Sequence, residues 1–270
     1  MRKPDLTRLC SSFFTTPTTG SQNEERSKKL SSSLGALDGP GVGYGLQQGN
    51  NMTMLLRLRF SLEVIEYDRI LKILQFKSMY NTVHIDEKWF YITKTSQRPM
   101  FAPDGSVLFD GKIGIFPFTE MVPAQMKNKN REVGTLEQKP IQSITKEVIK
   151  DFILKKIIPA IKQKWLAFAS KVIFIQQDNA RPHIKDSYPQ FREAASADGF
   201  DIRIVNQPPN SPDTNINDLR WFTTIKILQN EIVCNNVDSL VKAVEKSFEE
   251  LSPTTLNNVF LSLQGCIVEI

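Results

Sequence analysis

From Met52 to Phe76 the apolar residues Leu55, Leu58, Leu62, Ile65, Ile70 and Leu74 recur at near-helical spacing, which predicts one or two helices. The period then changes. Thr82 to Ile92 is rich in β-branched and aromatic residues and predicts a strand, with Val83 and Ile85 on one face and His84, Asp86 and Lys88 on the other. Ser106–Phe109 and Lys112–Phe116 read as two strands flanking Asp110-Gly111, a dipeptide suited to a two-residue hairpin turn. Residues 145–168 carry Val148, Ile149, Phe152, Ile153, Ile157, Ile161 and Trp165 on one helical face, with Thr145 as N-cap and Pro159 expected to kink or divide the helix.

Lys171–Ile175 is a short continuous apolar run, as expected of a strand covered on both faces. A helix over Pro189–Ala197 stops at Gly199, and Phe200–Val205 predicts another strand. Gln207–Asp213 is a Pro-rich loop. Helices follow from Asp218, over Asp238–Leu251 and over Thr254–Leu263. Strands separated by helices indicate an α/β sheet with helices packed on it.

Residues 1–51 show no such periodicity. Ser/Thr clusters and the run Gly39-Pro-Gly-Val-Gly-Tyr-Gly45 read as a disordered, low-complexity segment with a flexible linker. The glycines lack the Gly-Lys-Ser/Thr ending of a phosphate loop, and no strand precedes them. The first 22 residues, nearly free of acid, faintly resemble an organellar transit peptide. The expected division is therefore a disordered segment at 1–51 and a single α/β domain at 52–270.

Composition narrows the function less than the pattern does. Of 270 residues, 40% are hydrophobic and 23% charged, within the ordinary globular range. No apolar run is long enough to span a membrane. Cys10, Cys234 and Cys266 are odd in number and far apart, which argues against a disulfide framework or a zinc site and for a reduced, intracellular setting. A net charge of +5 is compatible with a polyanionic partner without requiring one.

Three carboxylates lie where an α/β sheet presents side chains for chemistry. Asp86 is on the polar face of the first strand, Asp178 follows the end of the buried strand, and Asp218 opens a helix whose buried stripe is Leu219, Phe222, Ile225 and Leu228. If that helix crosses the sheet, its first turn brings Asp218 beside the other two. Such a cluster would suit Mg²⁺, a hard cation that binds carboxylates, water and phosphate oxygens. A pair of ions roughly 4 Å apart can activate a nucleophile and stabilise a leaving oxygen in phosphodiester chemistry. Spacing alone leaves the alternative that each aspartate is a cap or a surface charge.

The words around these residues carry more. Val83-His-Ile-Asp-Glu-Lys-Trp-Phe90, Gln176-Gln-Asp-Asn-Ala-Arg-Pro-His183, and Gln207-Pro-Pro-Asn-Ser-Pro-Asp213 followed by Asp218 resemble the three signature blocks of mariner-type transposases. The 39 residues between Asp178 and Asp218, with Asp in third place, are similar to the branch typical of plants. The resemblance covers roughly residues 52–270. It implies a ribonuclease-H-like mixed sheet with flanking helices, and a nuclear enzyme that cuts DNA at transposon ends and joins the freed 3′-hydroxyl to target DNA. It further implies that Asp86, Asp178 and Asp218 are catalytic and hold Mg²⁺, with Mn²⁺ able to substitute. The implied partners are DNA and a second copy in a homodimer, with no membrane and no small-molecule cofactor.

Neighbouring residues admit two readings each. His84 and His183 either support the aspartates or make local structural hydrogen bonds. Asn179 and Arg181 could steady Asp178 or touch phosphate. Lys127–Arg131 is a basic loop that reads as a solvated turn before it reads as a DNA contact. Asp213 suits loop geometry, and Trp89, Trp165 and Trp221 fall on apolar faces as core.

Two departures from the family pattern set further expectations. The family carries helix-turn-helix units ahead of its catalytic domain, and residues 1–51 contain no such pattern. The family also has a longer connection after the first-aspartate strand, holding another sheet strand. Here Thr93–Ser106, broken by Pro99 and Pro103, intervenes. The sheet is expected either to lack a strand beside Asp86 or to receive Ser106–Phe109 as a short substitute. A shortened or degenerate transposase copy with doubtful activity, and a non-catalytic nucleic-acid- or protein-binding remnant, are the competing readings.

Overall fold

A computed structural model of the chain describes residues 6–13, 51–70, 72–77, 79, 81–92, 111–127 and 131–270. Among these, β1 is Leu6–Phe13, α1 is Asn51–Glu63, β2 is Ile65–Asp68, β3 is Ile73–Phe76, β4 is Thr82–Tyr91, β5 is Lys112–Pro117, β6 is Thr119–Pro123 and β7 is Leu136–Pro140. Next come α2 at Lys146–Phe152, a π-helical turn at Ile153–Ile157, and α3 at Ile158–Lys164. β8 at Val172–Gln177, α4 at Pro189–Ser196 and β9 at Asp201–Asn206 complete the sheet region. A second π-helical turn at Asn217–Trp221 leads into α5 at Phe222–Asn230, α6 at Val237–Glu250 and α7 at Pro253–Glu269.

The main sheet has the order β5-β1-β4-β8-β9. β4, β8 and β9 run parallel, and β1 lies antiparallel between β4 and β5. This is the mixed sheet of a ribonuclease-H-like α/β fold. Two short hairpins, β2–β3 and β6–β7, stand apart from it.

Alternation along β4 sends the chain's apolar residues two ways. Val83 and Ile85 join Ile173, Ile175, Ile202 and Ile204 under α2 to α4, where Ile149, Ile153, Ile157, Ile161 and Phe191 cover them. Phe90 joins the opposite layer, built on Trp221, Phe222, Val244, Phe248, Leu256 and Phe260 of the C-terminal helices. On β5 the register slips opposite Ser12 and Phe13, and Ile113 and Ile115 end in different layers although they are two residues apart. A sheet covered on both faces explains why four consecutive residues, Val83 to Asp86, are all buried.

Several sequence expectations need correction. The N-terminal segment, expected to be disordered throughout 1–51, supplies a full strand at Leu6–Phe13. That strand fills the sheet position beside Asp86, for which the sequence predicts a gap or a short substitute. Thr93–Asp110, including the expected Ser106–Phe109 strand and most of its hairpin turn, lies outside the described residues. Gly111 has φ +81°, a conformation that favours glycine after Asp110.

The region read as one or two helices to Phe76 is a helix followed by a hairpin. After Glu63 the β-formers Ile65 and Tyr67 take over. The Asp68 side chain then accepts a hydrogen bond from the Ile70 N–H at 2.8 Å, a turn that competes with helix. In the 145–168 helix, Thr145 caps the start by accepting from the Val148 N–H. The run is divided just ahead of Pro159, which sits in the first turn of α3. Its missing N–H is accommodated by the widened π turn just before it, and the helix ends at Lys164. Trp165 and Trp221 are core, but Trp89 is 36% exposed because its strand position faces away from Phe90.

Lys112 is the most unusual core residue. It is 3% exposed, and its ammonium donates to the backbone oxygens of Phe248, Glu249 and Leu251 at 3.0, 2.7 and 3.1 Å. It thereby satisfies carbonyls at the C-terminal end of α6, where among the described residues only the Phe248 oxygen of the three also accepts a backbone N–H, that of Leu251 at 3.4 Å.

Candidate active site

The parallel pairing of β4 and β8 ends at His84 opposite Gln176. Asp86 and Asp178 each lie two residues beyond that pair, at the same level of the sheet. The chain after β9 then folds back over this corner. The Gln207 N–H donates to the Gln177 oxygen at 2.9 Å, and the Asn179 amide donates to the Gln207 oxygen at 2.7 Å. Gln176, buried, donates to the Thr214 oxygen at 2.9 Å. Arg57 of α1 grips Asp213 with both guanidinium nitrogens at 2.7 and 2.5 Å. Asp213 is thus an ion-pair partner that fixes the loop, and Arg57 holds its carboxyl below the usual range.

This loop delivers Asp218 on the π-helical turn. Asn215 completes the junction. Its side-chain oxygen accepts from the Asn217 N–H at 3.0 Å, and its amide donates to Asp86 Oδ2 at 2.8 Å and reaches Asp218 Oδ2 at 3.5 Å. One amide nitrogen therefore touches two of the three carboxylates. The remaining oxygen of Asp86 accepts the Glu87 N–H at 2.7 Å. Lys88, which shares the Asp86 face of β4, lies 3.3 Å from Asp218 Oδ1.

The electrostatics agree with a crowded acidic corner. Burial, and then the charges of Asp218, Glu87 and Asp178, push Asp86 up to about 7 from its ordinary 3.8. Asp178 is tied differently. His183 lies 2.9 Å from Asp178 Oδ1 through Nδ1 and 3.0 Å from Glu87 Oε1 through Nε2. Burial alone would lower this histidine, but its hydrogen bonds to Asp178 and Glu87 carry it up to about 10. His183 is consequently an imidazolium joining the ends of β4 and β8.

The other histidine behaves otherwise. His84 is buried with its ring edge on Phe260 at 5.8 Å, and among the described residues neither ring nitrogen has a hydrogen-bond partner. Burial lowers it to about 4, so it is a neutral core ring. Asn179 ties two loops together and does not hold the Asp178 carboxylate; Arg181 is exposed. Of the basic 127–131 loop, residues 128–130 lie outside the described residues. At its edges, Lys127 pairs with Glu132 and Arg131 with Glu137, as suits a solvated turn.

Sequence reasoning placed Asp86, Asp178 and Asp218 individually and missed the residues that join them. Asn215, Glu87, Lys88 and Arg57 all act across long sequence separations. The sequence hinted at them only through the nearness of Glu87 to Asp86 and of Asn215 to Asp218, and through Lys88 sharing the Asp86 face of its strand.

His183 implies a pH dependence. Its folded pKa lies above the ordinary 6.5, so the stability it contributes is complete below about pH 6.5 and is lost as pH rises through about 10. Thermal unfolding of the native chain should weaken between pH 7 and pH 10.5 more steeply than that of His183→Gln. Parallel profiles for the two proteins would contradict the imidazolium assignment.

No family model matches the sequence, and no curated protein matches it. Solved structures do. The chain is similar to the Mos1 mariner paired end complex with Mn at 16% identity over 89% of this chain and 68% of that one, with a TM-score of 0.51. It is also similar to the Mos1 transposase paired-end complex with left transposon end at 17% identity over 94% and 74%, with a TM-score of 0.50. What these similarities show is the fold, a ribonuclease-H-like mixed α/β sheet with flanking helices.

Proposed function

We propose that the chain is a transposase-derived DNA-processing domain in which Asp86, Asp178 and Asp218 hold divalent metal, Mg²⁺ or Mn²⁺. The observation that carries this reading is the corner itself: Asn215 joins Asp86 to Asp218, and Asp86 feels the charge of Asp178. The donor set is of hard oxygens, as Mg²⁺ requires. Among the described residues no three acidic or histidine side chains are yet arranged around one point. The carboxylates are turned to internal partners: Asp86 to Asn215, Asp178 to His183, and Asp218 to Lys88. Metal entry would exchange those partners by side-chain rotation, with Asp86 on β4, Asp178 just past β8 and Asp218 on the π-helical turn.

Bound metal would supply activation of water or a 3′-hydroxyl and stabilisation of the leaving oxygen. The chain's own residues do the positioning. His183 holds Asp178 against Glu87, Asn215 sets the spacing of Asp86 and Asp218, and Lys88 is placed to meet a phosphate once released from Asp218. The 39-residue interval, the DNA ends as substrate, nuclear residence and a homodimer belong to the same proposal. So does the division into an N-terminal segment and a catalytic-type domain over 52–270 completed by β1.

The test is nicking of supercoiled DNA in Mg²⁺ or Mn²⁺ by the native chain and by Asp178→Asn. Cleavage by the native chain alone is the expected result. DNA binding without cleavage in either protein would favour the non-catalytic remnant instead.

A further inference from the structure

β1 sits in the sheet without local reason to be there. All eight of its residues pair antiparallel with β4, from Leu6 opposite Tyr91 to Phe13 opposite His84, with Ser11 opposite Asp86. On its other edge, Leu9 to Ser12 pair with Pro117 to Gly114, and Phe13 pairs with Lys112 after the register slip. Its neighbours are therefore strands that begin roughly 70 and 100 positions further along the chain. Without it, β4 and β5 would each present an unpaired edge of N–H and C=O groups inside a covered sheet, which a folded protein does not leave open.

We infer that the gap between β4 and β5 is a strand-binding site whose ligand is an extended peptide of the Leu6–Phe13 sequence, accepted in trans as well as in cis. Recognition is through the main chain of both flanking strands, and the covering layer at α6 and β7, both of which lie against β1, limits what fits. Since the pairing groups belong to the ladder and not to a local turn, nothing in the site depends on the ligand being covalently joined to it. The 37 residues between Phe13 and α1 could span on the order of 120 Å if extended, so the connection imposes no register of its own. The ligand also braces the strand that carries Asp86. This inference rests on the sheet topology and stands whether or not the domain cuts DNA.

The test uses the full chain. Cys10→Pro removes a ladder donor from the middle of β1, and the expected result is loss of slow amide exchange along β4 and β5. Adding a fluorescent synthetic peptide of residues 4–16 should give saturable anisotropy binding to this variant and restore the protection. The same peptide with proline at its own position 10 should do neither. Unchanged protection in Cys10→Pro, or a native peptide that fails to bind the folded variant, would overturn the proposal.

A second arm covers the case in which Cys10→Pro does not fold. Cys10 is the register partner of Phe116. A chain carrying Cys10→Ser and Phe116→Cys, oxidised with millimolar native peptide, should capture the peptide's cysteine at position 116 in preference to Cys234 and Cys266. Capture at those two positions alone would show that the peptide does not enter the slot.

Discussion

Asp86→Asn should make the metal-free protein more stable at pH 8 while abolishing its response to Mg²⁺. The carboxyl of Asp86 titrates near 7 in the folded chain against an ordinary 3.8. The unfolded chain therefore ionises first as pH rises. The penalty of holding this carboxylate in the fold is absent below about 3.8, grows through the interval, and is complete above about 7. At about 1.36 kcal/mol for each pH unit between those two values, the penalty is on the order of 4 kcal/mol. Asparagine removes the charge but places an NH₂ against one of the two donors that Asp86 now satisfies, the Glu87 N–H or the Asn215 amide, at a cost of about 1 kcal/mol. A net gain of roughly 3 kcal/mol, or about 9 °C in Tm, should appear in EDTA at pH 8 and shrink toward pH 5. Metal should then stabilise only the native chain, since a ligand that binds the folded state alone raises Tm. A variant less stable than the parent at pH 8 would mean the corner carries no excess of negative charge. The pattern expected is that of a functional site kept at the expense of stability.

How much of this corner was legible in the sequence depended on how local its causes are. β4 could be read because its β-branched residues and two-residue alternation are properties of adjacent positions. β8 could be read because a strand covered on both faces is a continuous apolar run. The hairpin at 65–76 reads as helix in the sequence because the apolar spacing there fits both periods until Asp68 forms its turn. β1 was invisible for a different reason. Leu-Thr-Arg-Leu-Cys-Ser-Ser-Phe has neither strong alternation nor an apolar run, and its strand is specified by two edges that wait for it elsewhere in the chain. The three aspartates were found through the words around them, whereas the bridge of His183 to Glu87 and the reach of Asn215 to Asp86 exist only after folding.

Lys112 illustrates the same limit in the core. In the sequence it is a polar residue at the head of a strand, and nothing marks it as interior. In the fold its ammonium donates to three carbonyls at the end of α6 and lies 5.5 Å from the centre of the Phe248 ring. A cation at a helix C-terminus is favoured both by the dipole and by the unpaired carbonyls. Lys112→Met keeps the length and apolar stem but removes every donor. The Phe248 oxygen would keep the Leu251 N–H, but the oxygens of Glu249 and Leu251 would each lose this donor at about 1–3 kcal/mol, offset in part by no longer desolvating an ammonium. The net loss should be about 3 kcal/mol, lowering Tm by roughly 10 °C for a domain of this size. Lys112→Arg should fall between the two, since it keeps the charge and some donors but must fit a planar fork where a compact ammonium stands. Amide exchange should quicken first at the end of α6 and along β5, which the lysine joins. If Lys112→Met proves as stable as the native chain, the desolvation of the buried cation already cancels its three bonds, and the end of α6 must be held by the Leu251 N–H bond to the Phe248 oxygen and by packing of Phe248 and Leu251.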